Sequence, residues 1–149
     1  MKIGLHAQTV KARRASGDSV PAPIIGNAMI DSGATVTAID ADVAKRLGLK
    51  PSGTVEAVGI GGKTIGITVA CSVDIKGLVL DLPRAPGHDL SKYCPGLIAL
   101  IGRDILRHMV FHYDGPKGTV YLEIPDLAKP APRGAPKKPK KKPKRRKRK

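Results

Sequence analysis

A carboxylate at the end of an apolar strand is the first residue in this chain placed where it could do chemistry. Residues 28–40 read AMIDSGATVTAID, so Asp31 follows Ala28, Met29 and Ile30 and precedes Ser32, Gly33 and Ala34. Its neighbours suit a core and its own side chain does not, so the acid needs partners or a task. Two roles are open to it: capping its own turn through the amides of Gly33 and Ala34, or moving a proton to and from a bound water. Other reactive types are sparse. His108 and His112 are four apart, yet HMVFH lacks the glutamate of a zinc-binding helix and runs into strand residues. Cys71 and Cys94 fall in no metal or redox spacing and are too few for a disulfide scaffold. His88 and Cys94 read as solvated residues of a loop.

The elements that must position Asp31 are short and β-rich. The 149 residues suit one domain, and with no Trp and a single Phe its core must come from Val, Ile, Leu and Ala. IGLHAQTVKAR (3–13) alternates imperfectly, and with the following RASGDS it predicts a strand, a turn and a second strand. In VPAPIIGNAMID (20–31) two prolines argue against a central strand at the start, and Gly26-Asn27 marks a bend before the strand that ends at Asp31. Asp40 as N-cap, Asp42 in the first turn, Lys45 and Arg46 in the last and Gly48 beyond them predict a short helix over 41–47. TVEAVGIGGKTIGITVACSVDI predicts a hairpin with a mobile glycine-rich tip at 59–63. Residues 83–96 read as a long irregular loop. After it come LIALIG, the amphipathic turn RDILRHM and a last pair of strands, VFHYD and TVYLEI, that closes the barrel. About seven strands and two brief helices imply an all-β sandwich or barrel.

Three segments, in order, resemble the retropepsin-like aspartic proteases, the single-domain relatives of pepsin. IDSGA (30–34) is similar to their catalytic signature, GIGG (59–62) to their flap, and ALIGRDIL (99–106) to the apolar Gly-Arg element and the helix after it. The resemblance spans about 20–124 and implies a closed acid-protease barrel over residues 1–126. It also implies a mechanism in which two carboxylates hold one water, one taking its proton while the other donates to the scissile carbonyl. The chain has one such aspartate, so the resemblance implies a homodimer with a twofold axis between two Asp31 side chains. By the same resemblance Ser32 bonds across the pair, Gly33 keeps bulk away from it and Ala34 lines its floor. Gly59, Gly61 and Gly62 let the flap close, while Ile60 faces the substrate or the opposite flap. Ile101 and Gly102 pass behind the loop, and Arg103, followed by Asp104, braces it. The family commonly pairs that arginine with an acid just after the alanine. Here the position is Thr35, so Arg103 must turn to Asp104, Asp40 or a backbone carbonyl. A polypeptide substrate is implied, and neither metal nor cofactor.

Charge divides the chain. Of 27 Lys and Arg, 13 lie in residues 129–149, which contain none of the 12 acids, leaving 14 minus 12, or +2, for residues 1–128. Residues 127–149 are expected to be a disordered basic tail, either solubilising or attracting polyanions such as nucleic acid without sequence preference. Its lack of interleaved aromatics argues against base stacking. No apolar run has the length of a signal peptide or a transmembrane segment, and a cytoplasmic protein is expected. An alternative to the protease is a catalytically silent module on the same fold that binds peptide or nucleic acid.

Overall fold

The computed structural model describes residues 1–59 and 62–125. The expected tail, and the roles expected of Ile60 and Gly61, lie outside them. Eight strands form one sheet: β1 (Lys2–Leu5), β2 (Ile24–Ile25), β3 (Asn27–Ile30), β4 (Ala38–Asp40), β5 (Pro51–Gly59), β6 (Gly62–Ile75), β7 (Leu78–His88) and β8 (Leu97–Ile101). Their order is β2-β1-β6-β7-β4-β8-β3, with β5 added on β6. The outermost strands of that path, β2 and β3, are separated in sequence only by Gly26, so one short segment joins both ends and the sheet is a nearly closed barrel. At this corner a side chain on Gly26 would place its Cβ 2.5 Å from Ile98 Cγ2, which makes the predicted bend a packing requirement as well.

Where β8 lies decides the site. It is parallel to β3, with Ile30 opposite Ile101, and antiparallel to β4, with Ala38 opposite Leu100. The chain leaving β3 must therefore cross the end of β8 to reach β4. That crossing is residues 31–37.

Three expectations are corrected. Residues 7–15 form helix α1 (Ala7–Ala15) rather than continuing the first strand, expected over 3–13, into its turn. AQTVKARRA is rich in Ala, Gln, Lys and Arg, whose helical preference outweighs an imperfect alternation with one β-branched pair, and the His6 side chain accepts from the Gln8 amide at its start. Secondly, β7 continues through Pro83 and Pro86 to His88, so the irregular segment is only 89–96. Pro83 falls where the β6–β7 register shifts, between the pairs Val69–Ala85 and Cys71–Leu82, and its missing N–H interrupts no regular ladder. Thirdly, the strands β9 (Val110–Asp114) and β10 (Thr119–Glu123) pair only with each other and do not close the barrel. They attach through Leu122 and Ile124, which pack on the core.

The expected helix is present as α2 (Ala41–Arg46), and a third, α3 (Arg103–Leu106), follows β8. Ile3, Ile39, Val73, Ala99 and Ile105 are fully buried at the centre, with no large aromatic among them. Asp40 is buried with them and has four backbone donors. Its Oδ1 accepts from Asp42 and Val43, the predicted cap, while Oδ2 accepts from Leu90 at 2.9 Å and Ser91 at 3.1 Å. One carboxylate thus starts α2 and anchors the loop that leads into β8. Asp40→Ala strands those amides and is expected to cost about 2–4 kcal/mol, read as a lower denaturation midpoint in urea at unchanged slope.

Candidate active site

β3 gives way to a turn at Asp31, whose amide still donates to Ile101 O at 2.9 Å. The turn closes through Ala34 N to Asp31 O, 3.1 Å. Asp31 Oδ1 accepts from Gly33 N at 2.9 Å and Ala34 N at 3.1 Å, so the carboxylate does cap its own turn. Among the described residues Oδ2 has no protein partner. A capped oxygen and a free one coexist on the same side chain, and the two roles open in the sequence do not exclude each other. Gly33 sits close, since a Cβ there would lie 3.1 Å from Oδ1.

The rest of the loop is held from below. Thr37 is fully buried. Its amide donates to both oxygens of Asp104, at 2.9 and 3.0 Å, and its hydroxyl donates to Asp104 Oδ1 at 2.7 Å while accepting from Gly102 N at 3.0 Å. Asp104 Oδ1 also accepts from Ile105 N, within the first turn of α3. Gly102 lies directly under the loop: a Cβ would stand 2.5 Å from Val36 C and 2.6 Å from Val36 O, contacts that no side chain could make without moving backbone. Arg103 closes the arrangement. Its Nη1 donates to Ser32 O and Gly33 O, both 3.0 Å, its Nη2 to Thr35 Oγ1 at 3.1 Å, and its amide to Ala34 O at 3.0 Å. Of the three partners open to it in the sequence, the backbone carbonyls are the ones used. Asp40 and Asp104 are engaged elsewhere.

Beside the turn is a cavity of about 300 Å3 floored by Gly33, Ala34 and Thr35 and walled by Val55 and Glu56 of β5. A second hollow of about 430 Å3, lined by Met29, Leu90, Tyr93 and Leu97, shares His88 and Leu100 with the first. His88 is therefore part of the wall at the end of β7, not a solvated loop residue, a placement that depends on β7 running through two prolines. Cys94 is exposed as expected. At the hairpin end Gly59 pairs with Gly62, and Glu56 forms an ion pair with Lys63 at 2.7 Å. Ser32 takes part through its carbonyl.

The remaining candidates are separate from this place and from one another. His108 accepts from Arg107 Nε, whereas His112 pairs with Glu123 Oε2 at 2.9 Å and stacks on Tyr121. Among the described residues no three His, Cys, Asp or Glu side chains converge as metal ligands. Both cysteines are free, and the Cys71 thiol is pushed up to about 12, first by burial and then by the charge of Asp81, so it stays protonated at neutral pH.

A nearly closed β-barrel whose glycine-bearing acidic turn passes over the end of an apolar strand, beside a long hairpin, has the architecture expected of the acid-protease fold. Residues 16–86, just under half of the chain, match a family model described as aspartyl protease. This segment contains the Asp31 turn and the β5–β6 hairpin and ends before β8. The resemblance to retropepsin-like proteases is thereby supported, and with it a protease-type function in general. Neither the curated proteins nor the solved structures contain a match.

Thr37 is the residue that sequence reasoning passed over. In ATVT it looks like one more strand threonine, and only its burial against Asp104 distinguishes it. Thr37→Val keeps shape and removes the hydroxyl from both Asp104 and Gly102 N. It is expected to cost about 1–3 kcal/mol in a urea titration, and to loosen the loop it supports.

Proposed function

We propose that the protein is an aspartic endopeptidase that works as a homodimer, with one water held between two Asp31 carboxylates. The observation that carries this is the half-occupied carboxylate. Oδ1 is fixed by the amides of Gly33 and Ala34, which sets the plane of the group, while Oδ2 is left without a protein partner among the described residues. A carboxylate serving only as a turn cap has no need of the braced loop, the adjoining cavity or the hairpin above it.

The dimer follows from counting acids. General acid–base attack of water on a peptide needs one group to take the proton and another to polarise the carbonyl. Asp40 and Asp104 have both oxygens engaged by backbone amides, Asp104 with the Thr37 hydroxyl as well, and Glu56 on the cavity wall is held in an ion pair with Lys63, so none of the three is taken as the second group. A second copy supplies it through an isologous contact. Two carboxylates held against one water share one proton, as is general for aspartic protease dyads, and the rate is then bell-shaped in pH, with macroscopic constants that belong to the pair. Gly33 and Ala34 form a floor against which an extended peptide backbone can lie, and the paired hollows beside them accept its side chains. The basic tail is assigned no part in catalysis.

The test is cleavage of a peptide library, read by mass spectrometry, by the protein and by Asp31→Asn. The variant is expected to be folded and inert, and the specific activity of the unaltered protein to fall on dilution as dimers separate. Equal cleavage by both forms removes Asp31 from the mechanism. Peptide binding without cleavage by either form leaves the silent binding module.

A further inference from the structure

The β5–β6 hairpin is longer than its support. In the ladder between β6 and β7 the pair nearest the hairpin end is Thr68 with Pro86; past it, β6 is paired with β5 alone. Residues 54–59 and 62–67 are therefore a two-stranded arm extending from the barrel. At the root of the arm both strands are irregular at one level. The β5 register shifts between Pro51 and Gly53, and the β6 register shifts toward β7 between Val69 and Cys71. Paired bulges are where a ribbon bends most easily. Gly53 has a φ of +152°, a conformation side chains rarely adopt.

Across this weak point lies Arg84. It belongs to β7, two strands away from β5, and its Nη2 reaches over β6 to donate to Thr54 O at 2.8 Å. The guanidinium occupies the space beside Gly53 where a side chain would be, with Nη2 3.2 Å from the position of a Cβ. Among the described residues Arg84 has no acidic partner, so this bond is its one fixed engagement. Thr54 is the first residue of the arm, and the two that follow it, Val55 and Glu56, wall the cavity above Gly33 and Ala34.

We propose that Arg84 is a positioning residue: by fastening the root of the arm to β7, it sets how far β5 stands above the Asp31 turn and so the width of the cleft that takes substrate. The inference rests on the protease reading for its consequence, though not for its mechanics. A planar donor whose N–H groups are fixed in a rigid fork suits the task because it holds a carbonyl across an intervening strand with little freedom to lose. The strap is a single exposed bond, so it limits the arm's excursions without locking it.

The experiment compares the unaltered protein with Arg84→Met and Arg84→Lys by hydrogen–deuterium exchange and by steady-state peptide cleavage. Arg84→Met is expected to speed exchange of the 54–59 amides about three- to tenfold while β1 and β8 are unchanged, and to raise KM by a similar factor with kcat little altered. Arg84→Lys, which keeps the charge and a less rigid donor, is expected to fall between the two in both measurements. Unchanged exchange in the arm overturns the strap. Faster exchange throughout the barrel overturns it too, since it would make Arg84 a general stabilising residue. Faster exchange in the arm with unaltered KM overturns the positioning role. If the unaltered protein cleaves no peptide at any pH, the protease reading fails, and the exchange measurement alone decides whether Arg84 holds the arm.

Discussion

The contact on which the rest of this structure depends is the passage of residues 31–37 over the end of β8. A backbone can lie on another backbone this closely only where one of them carries no side chain, and Gly102 is that place: its missing Cβ is what lets Val36 and Thr37 sit down on it. Such an approach would bury polar groups of both segments. Thr37 and Asp104 resolve this by exchanging hydrogen bonds with each other, with Gly102 N and with Ile105 N, so the tightest point of the fold is also fully satisfied. β3, β4, β8 and α3 all meet there, and none could shift without breaking the set.

Asp31 inherits its geometry from that knot. The loop beneath it is braced through backbone carbonyls by Arg103, one guanidinium reaching Ser32, Gly33 and Thr35 with charge-assisted bonds. Where the retropepsin-like proteases commonly pair this arginine with an acid, Thr35 stands here, and the guanidinium is bonded to neutral oxygens. The turn's own amides fix one oxygen of Asp31, and the other has no protein partner among the described residues. Rigid support on one side and an unfilled acceptor on the other is what a site needs if a side chain is to hold a water rather than merely fold a turn.

The roof is built on the opposite principle. Below the loop a buried threonine, a half-buried aspartate and an arginine hold it through several hydrogen bonds each, whereas the β5–β6 arm is two strands wide, irregular at its root and held to the barrel by an exposed arginine. A fixed surface on one side of a cleft and a weakly attached arm on the other let the cleft change width without disturbing the braced loop. The floor and the roof are joined at the side by β7, which carries Arg84, Pro86 and His88 in succession.

Much of this was legible locally. Asp40 and Gly48 marked the ends of α2, Gly26 marked a bend, the glycines around 60 marked a hairpin end, and the order of IDSGA, GIGG and IGRD carried the resemblance that the match over 16–86 supports. These are properties of a few adjacent residues, whose turn and cap chemistry needs nothing from the rest of the chain. Other features were decided only by what packs where. Residues 7–15 alternated just enough to look like a strand, yet no sheet edge receives them and helix propensity prevails. Pro83 and Pro86 looked like breakers, but Pro83 falls at a register shift between two long strands and Pro86 at the last pair of their ladder. Thr37 and Arg84 bear no local mark, because one acts through an aspartate 67 residues away and the other through a carbonyl 30 residues away. The sequence by itself determined which short segments could turn, cap or do chemistry, since those are local stereochemical facts. Which of them meet at Asp31 was decided by the tertiary structure alone, since strand order and burial arise from the whole barrel at once.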